Sequence, residues 1–145
     1  MGQYNNVARE KNNDKTPHIY AIVVSFNPNV NDLFNNLIQF NNSVEKTILV
    51  DNSDNRKIRE EIKLRSKKFR NIYCLFLDND GIGAAQNEAI RYINNNKRSN
   101  NTLLLFLDQD SYIEKNEVYK LYEHLICEKE KDDRVVMIGA TTDFN

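Results

Sequence analysis

Leu103-Leu104-Leu105-Phe106-Leu107-Asp108-Gln109-Asp110-Ser111 places five consecutive apolar residues directly before two carboxylates. A continuous apolar run of this length predicts a β-strand that is buried on both faces. Side chains two positions apart on an extended backbone point the same way, so Asp108 and Asp110 can converge on one centre. Carboxylates at the end of such a strand suit a divalent cation that also holds a substrate phosphate. The motif equally fits a charged turn in which Asp110 or Ser111 caps the next helix.

Strands of this kind alternate with amphipathic helices along the whole chain. The alternation predicts an α/β fold with a Rossmann-like, doubly wound and mostly parallel sheet, in which all crossovers are right-handed. Apolar residues at helical spacing mark the helices, and residues 94–101 are predicted to form a loop. The predicted strands are 19–24, 47–50, 72–77, 103–107 and 135–138, and the predicted helices cover about 30–38, 56–68, 82–93 and 118–126.

The length of 145 residues fits one domain with a sizeable core. Residues 1–17 are polar and charged without an apolar segment, which predicts a flexible N-terminal tail and no signal peptide, followed by an α/β domain over 18–145. The net charge of -1 argues against general nucleic-acid binding. The two cysteines lie far apart, which indicates a reducing, cytoplasmic location.

Polar clusters follow four of the predicted strands. Because the carboxyl ends of parallel strands share one edge of the sheet, four clusters together favour a ligand cleft over four unrelated turns. Asp51 can accept hydrogen bonds from a ribose or a base, although Asn and Asp clusters also simply make turns. The clusters are Ser25 with Asn27, residues 51–54, residues 79–83 and residues 108–111.

The Gly81-Ile82-Gly83 turn leads directly into a predicted helix. Glycines allow the backbone to approach a ligand closely, and the free N–H groups at the start of a helix attract phosphate. A tight turn in which Asp80 caps the helix explains the same residues. The segment is not a dinucleotide fingerprint, because Gln86 stands where GxGxxG has its third glycine.

Four segments, taken in order, resemble the family 2 glycosyltransferases. The similarity is greatest to the rhamnosyltransferase-like branch, in which a GIxxAQN stretch and a DQDS turn recur, and it runs from about Ile19 to the end of the chain. The segments that carry the resemblance are IVVSFNP (22–28), ILVDNS (48–53), NDGIGAAQN (79–87) and LFLDQDS (105–111).

The resemblance implies the nucleotide-binding half of a GT-A fold, which holds a nucleotide-diphosphate sugar together with Mg²⁺ or Mn²⁺. By this resemblance Ser25 and Asp51 face the base and the ribose. Asp108 lies near the ribose and the metal, and Asp110 is the main metal ligand. The nucleotide-sugar site would comprise Ser25, Asn27, Asp51, Asn79, Asp80, Gly81, Gly83, Asn87 and Asp108, with Asp108 and Asp110 on the metal.

The implied reaction is inverting transfer of a hexosyl or deoxyhexosyl group, such as rhamnose, to a surface polysaccharide or other glycan acceptor. The donor would be dTDP-rhamnose or a UDP-sugar. In the family the catalytic base and the acceptor site belong to the C-terminal half. Since the sequence stops at Asn145, the base is expected beyond the C-terminus, no catalytic residue is assigned, and a truncated, inactive fragment is one expectation.

Three further interpretations stay open from the sequence. The apolar strand followed by DxD superficially resembles the haloacid-dehalogenase-like phosphatases, whose nucleophile strand normally comes first in the chain. A non-catalytic, receiver-like nucleotide-binding module also fits the alternating pattern. The basic run from Arg65 to Arg70 fits either a solvated helix end or contact with an anionic lipid or polymer, so peripheral contact with the inner face of the membrane is a further expectation.

Overall fold

The computed structural model describes residues 17–140, which form a four-stranded sheet with helices on both faces. The predicted N-terminal tail lies outside the described residues, apart from Pro17, as do residues 141–145. The elements are β1 (His18–Ser25), α1 (Val30–Phe40), a 3-10 turn (Asn41–Ser43), β2 (Lys46–Asp51), α2 (Arg56–Ser66), β3 (Ile72–Phe76), α3 (Ile82–Asn96), β4 (Thr102–Asp108) and α4 (Lys115–Lys131).

The strands lie in the order β3-β2-β1-β4 and all neighbours are parallel. Helices α1, α2 and α4 pack on one face, and α3 packs on the other. The predicted doubly wound, parallel α/β fold is therefore confirmed. Because the strand order reverses between β1 and β4, the carboxyl ends of these two strands form a topological switch point, and sheets of this kind bind ligands in a crevice at such a point.

Two apolar clusters hold the helices onto the sheet. On one face Ala21 and Leu49 meet the fully buried Leu37 of α1 and Ile62 of α2. On the other face α3 contributes two alanines and an isoleucine against the next residues of the same strands, and small side chains allow close approach to the sheet. Burial of each such leucine or isoleucine contributes about 1.5–3 kcal/mol.

The prediction that β4 is buried on both faces is wrong. Leu103, Leu105 and Leu107 pack against the cluster beneath α1 and α4. On the opposite face Leu104 is 37% exposed and Phe106 is 38% exposed. The reason is that α3 lies over β1 and β2, and none of the described helices covers this face of β4.

The predicted fifth strand is also wrong, because Val135–Ile138 is not in the sheet. Val136 is 83% exposed and Met137 is 74% exposed. The position of α4 supplies a physical reason. Since α4 lies on the same face as α1, a parallel strand placed beyond β4 would need a left-handed crossover, whereas such connections are almost always right-handed.

Several helix boundaries also differ from the predicted ones. Helix α4 starts at Lys115 with a capping box between Glu114 and Glu117, so neither Asp110 nor Ser111 caps it. At α3 the N-cap position is Gly81 and not Asp80, with a φ of 95° that favours glycine. Helix α3 continues through Asn96, which shortens the loop predicted over 94–101, and α2 ends at Ser66.

Candidate functional site

A buried carboxylate joins the ends of β1 and β2. Asp51 is fully buried, and its Oδ1 accepts hydrogen bonds from Ser25 Oγ at 2.8 Å and from Ser53 Oγ at 2.7 Å. The parallel register explains the first contact, because Ser25 lies directly opposite Asp51. Hydrogen bonds to a charged acceptor are the stronger kind, so these two hydroxyls fix the turn after β2 against the end of β1.

The other oxygen of Asp51 makes no hydrogen bond within residues 17–140. Asp51 Oδ2 is buried there without a hydrogen-bond partner, and it lies 4.0 Å from Arg59 Nε. Asn52 Oδ1 is likewise buried and without a hydrogen-bond partner. Each unsatisfied buried acceptor costs about 1–3 kcal/mol. Two unsatisfied acceptors in consecutive residues at the carboxyl edge of a sheet indicate that a water or another donor completes them.

Asn27 organises the loop after β1. Its φ of 43° lies in the left-handed region, which Asn tolerates better than most residues. Its backbone N–H donates to Ser53 Oγ at 2.8 Å, and its side-chain amide donates to Asp54 Oδ1 at 2.6 Å. The Asn27 side chain also accepts from the backbone N–H of Asn55 at 3.2 Å. Asn27 thus connects the β1 end to the start of α2.

Gln109 connects the end of β4 to the same loop. Its Oε1 accepts a 2.8 Å hydrogen bond from the backbone N–H of Phe26. The turn itself is closed by Ser111, whose Oγ accepts from Asp108 N at 3.0 Å and whose N–H donates to Asp108 O at 3.1 Å. These bonds place the Asp108-Gln109-Asp110 turn at the crevice between β1 and β4.

The two carboxylates of this turn are available for a ligand. Asp108 and Asp110 are exposed, and within residues 17–140 neither carboxylate makes a hydrogen bond or an ion pair. No cluster of three or more His, Cys, Asp or Glu side chains suited to a metal occurs in that part of the chain. Magnesium is commonly bound by one or two carboxylates plus substrate phosphates. The carboxylates of Asp108 and Asp110 are therefore suitable ligands for a cation that is shared with a bound phosphate.

The end of β3 reaches the site through backbone contacts. Leu77 N donates to Asp51 O at 2.9 Å, and Asn52 Nδ2 lies 3.4 Å from Gly81 O. The turn and the first residues of α3 are exposed, and nothing lies within 4 Å of a Cβ built on Gly81 or Gly83. The backbone at the start of α3 is therefore open to a ligand.

Hydrogen bonds join four of the ten predicted site residues. Ser25, Asn27 and Asp51 lie in one hydrogen-bonded network, which Asn52 extends to Gly81. The remaining predicted residues are exposed: Asn79 and Asp80 before α3, Gly83 in its first turn, Asn87 in its second turn, and Asp108 and Asp110 at the end of β4. No hydrogen bond joins Asn87 to the others in the described part of the chain.

Four residues of the network were missed from the sequence. Ser53 and Gln109 lie within polar clusters that were recognised, so the presence of a hydroxyl and an amide beside the aspartates was the available signal. Asn52 lies in the same recognised cluster, residues 51–54, whereas Arg59 gave no local signal. Arg59 belongs to a helix rich in charged side chains, yet its guanidinium lies 5.5 Å from the centre of the Phe76 ring and approaches the buried Asp51.

A cavity of about 270 Å³ lies at the opposite edge of the sheet. It is bordered by the start of β1, the turn after α1 and α4, including His18, Glu45 and Tyr119. This cavity contains none of the predicted site residues. The hydrogen-bond network and the exposed carboxylates, rather than this cavity, define the candidate site.

Comparisons with known proteins bear on the same residues. The model of the family described as "Glycosyl transferase family 2" matches residues 20–142, which include every predicted site residue. No curated protein matches the chain. Within residues 17–140, none of the helices has the length and apolar character needed to cross a membrane.

Proposed function

The chain belongs to glycosyl transferase family 2, and we propose that its polar strand ends bind a nucleotide-diphosphate sugar together with Mg²⁺ or Mn²⁺. Family membership supports glycosyl transfer as the general activity and does not favour the phosphatase alternative. One observation carries the proposal. The DQD turn is anchored to the β1 loop by the Phe26–Gln109 bond, while the carboxylates of Asp108 and Asp110 stay exposed.

The nucleoside would occupy the side of the crevice nearest β2. Asp51 Oδ1 is already taken by two serines, so Asp51 Oδ2 and Asn52 Oδ1, which are both buried, would accept N–H or O–H groups of the base and ribose after the side chains that cover them move aside. A site built to hydrogen-bond such groups discriminates strongly against analogues that lack them. This arrangement supports a role for Ser25 and Asp51 in nucleoside recognition.

The diphosphate would lie between the DQD turn and the start of α3. Exposed backbone at Gly81 and Gly83 offers helix N–H groups to phosphate oxygens. Asp108 and Asp110 would hold the cation, and a bound metal would neutralise charge on the leaving diphosphate. The exposed Asn79, Asp80 and Asn87 would border the same pocket.

The sugar is proposed to be a deoxyhexose such as rhamnose, carried by dTDP or UDP and transferred with inversion to a glycan acceptor. The similarity to GIxxAQN at residues 81–87 and to DQDS at 108–111 supports this choice. No base for the acceptor hydroxyl is assigned within the chain.

Titration calorimetry tests the donor site directly. dTDP-rhamnose, UDP-sugars and GDP-sugars are titrated into the full chain with Mn²⁺ and again with EDTA. We expect binding that depends on Mn²⁺, and a weakening of at least about tenfold in Asp110→Asn, which corresponds to about 1.4 kcal/mol. Asp108→Asn should weaken binding in the same direction.

Asp133→Asn is the matched control, because it removes the same charge from an exposed aspartate outside the site. Its affinity should equal that of the unmodified chain. Equal losses in Asp110→Asn and Asp133→Asn, or no metal-dependent binding of any of these nucleotide sugars, would overturn the proposed site.

A further inference from the structure

Positive charge is concentrated on α2 and the turn that follows it. Residues 56–70 contain eight Lys or Arg and two Glu, whereas the remaining 130 residues contain 12 basic and 19 acidic residues. The whole chain is therefore nearly neutral at -1, although this one segment carries a net charge of +6. Such asymmetry points to an anionic partner for that segment.

The uncompensated charges lie in the last turn of α2 and in the turn that follows it. Lys63, Lys67, Lys68 and Arg70 are all exposed, and within residues 17–140 none of their side chains makes an ion pair or hydrogen bond. Inside the helix, one of the two glutamates already neutralises a basic residue, since Glu61 forms an ion pair with Arg65 at 3.4 Å. We call these four basic residues, together with Leu64, the α2 basic end.

Leu64 is the apolar member of the α2 basic end. It is 63% exposed, whereas Ile62 of the same helix is fully buried against the sheet. Lys67 is the C-cap residue of α2 and keeps helical backbone angles (φ -62°, ψ -18°), so it follows Leu64 by three positions on the same face of the helix. An exposed leucine flanked in sequence by exposed lysines is typical of a surface that enters the headgroup region of a bilayer.

We propose that the α2 basic end is a peripheral docking surface for the anionic headgroups of a membrane. Lysines next to a bilayer are attracted by the negative surface potential, and an apolar side chain among them gains by burial in the acyl boundary. A nucleic acid would use the same charges but would gain nothing from Leu64, and the chain lacks the overall basic character of such proteins.

The orientation of α2 keeps this surface away from the candidate site. Asn55 caps the start of α2 and is bonded to Asn27 of the site loop. The basic end lies at the other end of the helix, on the order of 16 Å away for 11 residues. A membrane bound there leaves the crevice between β1 and β4 open. The proposal therefore does not depend on what that crevice binds.

Sedimentation with lipid vesicles tests the proposal on the full chain. Vesicles of phosphatidylcholine with about 30% phosphatidylserine should bind the chain, and pure phosphatidylcholine vesicles should not. Since each lysine near the surface is worth about a fivefold change in partitioning, Lys67→Gln/Lys68→Gln should weaken binding about 25-fold. Leu64→Gln should also weaken vesicle binding, although it leaves the net charge unchanged. All these side chains are exposed, and circular dichroism verifies that the variants fold.

Lys115→Gln/Lys120→Gln is the matched control, because it removes two exposed lysines from α4 instead. It should leave vesicle binding nearly unchanged. Equal weakening by the two double variants would show a diffuse charge effect and overturn the proposal. So would the absence of binding to phosphatidylserine vesicles, or binding to a short RNA duplex that is tighter than to the vesicles and insensitive to Leu64→Gln.

Discussion

Replacing Ser25 by alanine should destabilise the fold, although it removes a single oxygen. Ser25 is 1% exposed, and its hydroxyl donates to the fully buried Asp51 at 2.8 Å. A hydrogen bond to a charged group contributes about 1.5–3 kcal/mol. Because no solvent reaches this oxygen of Asp51 to replace the lost donor, we expect a loss of about 2 kcal/mol.

Ser53→Ala should cost more, about 3 kcal/mol, because this hydroxyl donates to Asp51 and also accepts from Asn27 N. The two serines share one acceptor, so their effects should not add. Without both donors the carboxylate would keep only Arg59, whose Nε is 4.0 Å away. The double variant should therefore lose more than the sum of the single losses.

Urea unfolding followed by circular dichroism measures these effects. If the free energy of unfolding falls by about 2 kcal/mol per molar urea, the urea concentration at the midpoint of unfolding should be about 1 M lower for Ser25→Ala. Ser43→Ala is the matched control, since Ser43 is 8% exposed and its buried hydroxyl has no hydrogen-bond partner within residues 17–140. Its midpoint should stay the same or rise slightly, because the change removes an unsatisfied group. Equal midpoints for Ser25→Ala and Ser43→Ala would refute the assignment of stability to the Asp51 network.

Two further predictions concern the glycine turn and the cysteines. Gly81→Ala should cost about 1–3 kcal/mol through backbone strain at its φ of 95°, since the added Cβ meets no atom. Gly83→Ala, inside α3, should instead stabilise by up to about 1 kcal/mol, and equal melting temperatures for the two variants would contradict this reasoning. Burial raises the pKa of the Cys74 thiol, so less thiolate forms at neutral pH, and iodoacetamide should modify the exposed Cys127 first and Cys74 slowly until urea is added. Equal modification rates in the folded chain, measured by mass spectrometry of the peptides, would contradict the second prediction.

The sequence predicted the central strands well because their surroundings are simple. Residues 19–24 and 47–50 form β1 and β2, which have neighbours on both sides and helices on both faces, so nearly every side chain is apolar. The meeting of four polar strand ends follows from parallel pairing alone. All neighbouring strands in the order β3-β2-β1-β4 are parallel, so their carboxyl ends share one edge of the sheet.

Residues at the edge of the sheet were harder to predict. The run Leu103–Leu107 is as apolar as a fully buried strand, but how much of it is covered depends on where α3 lies, and no local pattern specifies that position. The same holds for Val135–Ile138, whose composition is typical of a strand. Its pairing depends on the face on which α4 packs, which is a property of the whole fold.

Long-range polar contacts were not predictable from the sequence either. Asn52 looks like an ordinary turn residue, yet it is 3% exposed because its amide reaches Gly81 O across 29 positions of the chain. Arg59 belongs to a strongly charged helix, where a solvated side chain is the usual outcome. Its place beside Asp51 and Phe76 depends on the tertiary packing of α2 beside β3.

The acidic strand ends therefore fall into two kinds, and this division determines how binding experiments can be interpreted. Asp51 is buried and holds three loop segments through Ser25, Ser53 and the backbone of Leu77, so its substitution changes stability and binding together. Loss of nucleotide-sugar binding in an Asp51 variant would not distinguish a lost contact from a displaced loop. Asp110 is exposed and carries no such bonds within residues 17–140. Loss of binding in Asp110→Asn with an unchanged urea midpoint would therefore report a contact with the metal and its diphosphate. Only binding and stability measured together separate such a ligand contact from the buried hydrogen bonds that position the loops.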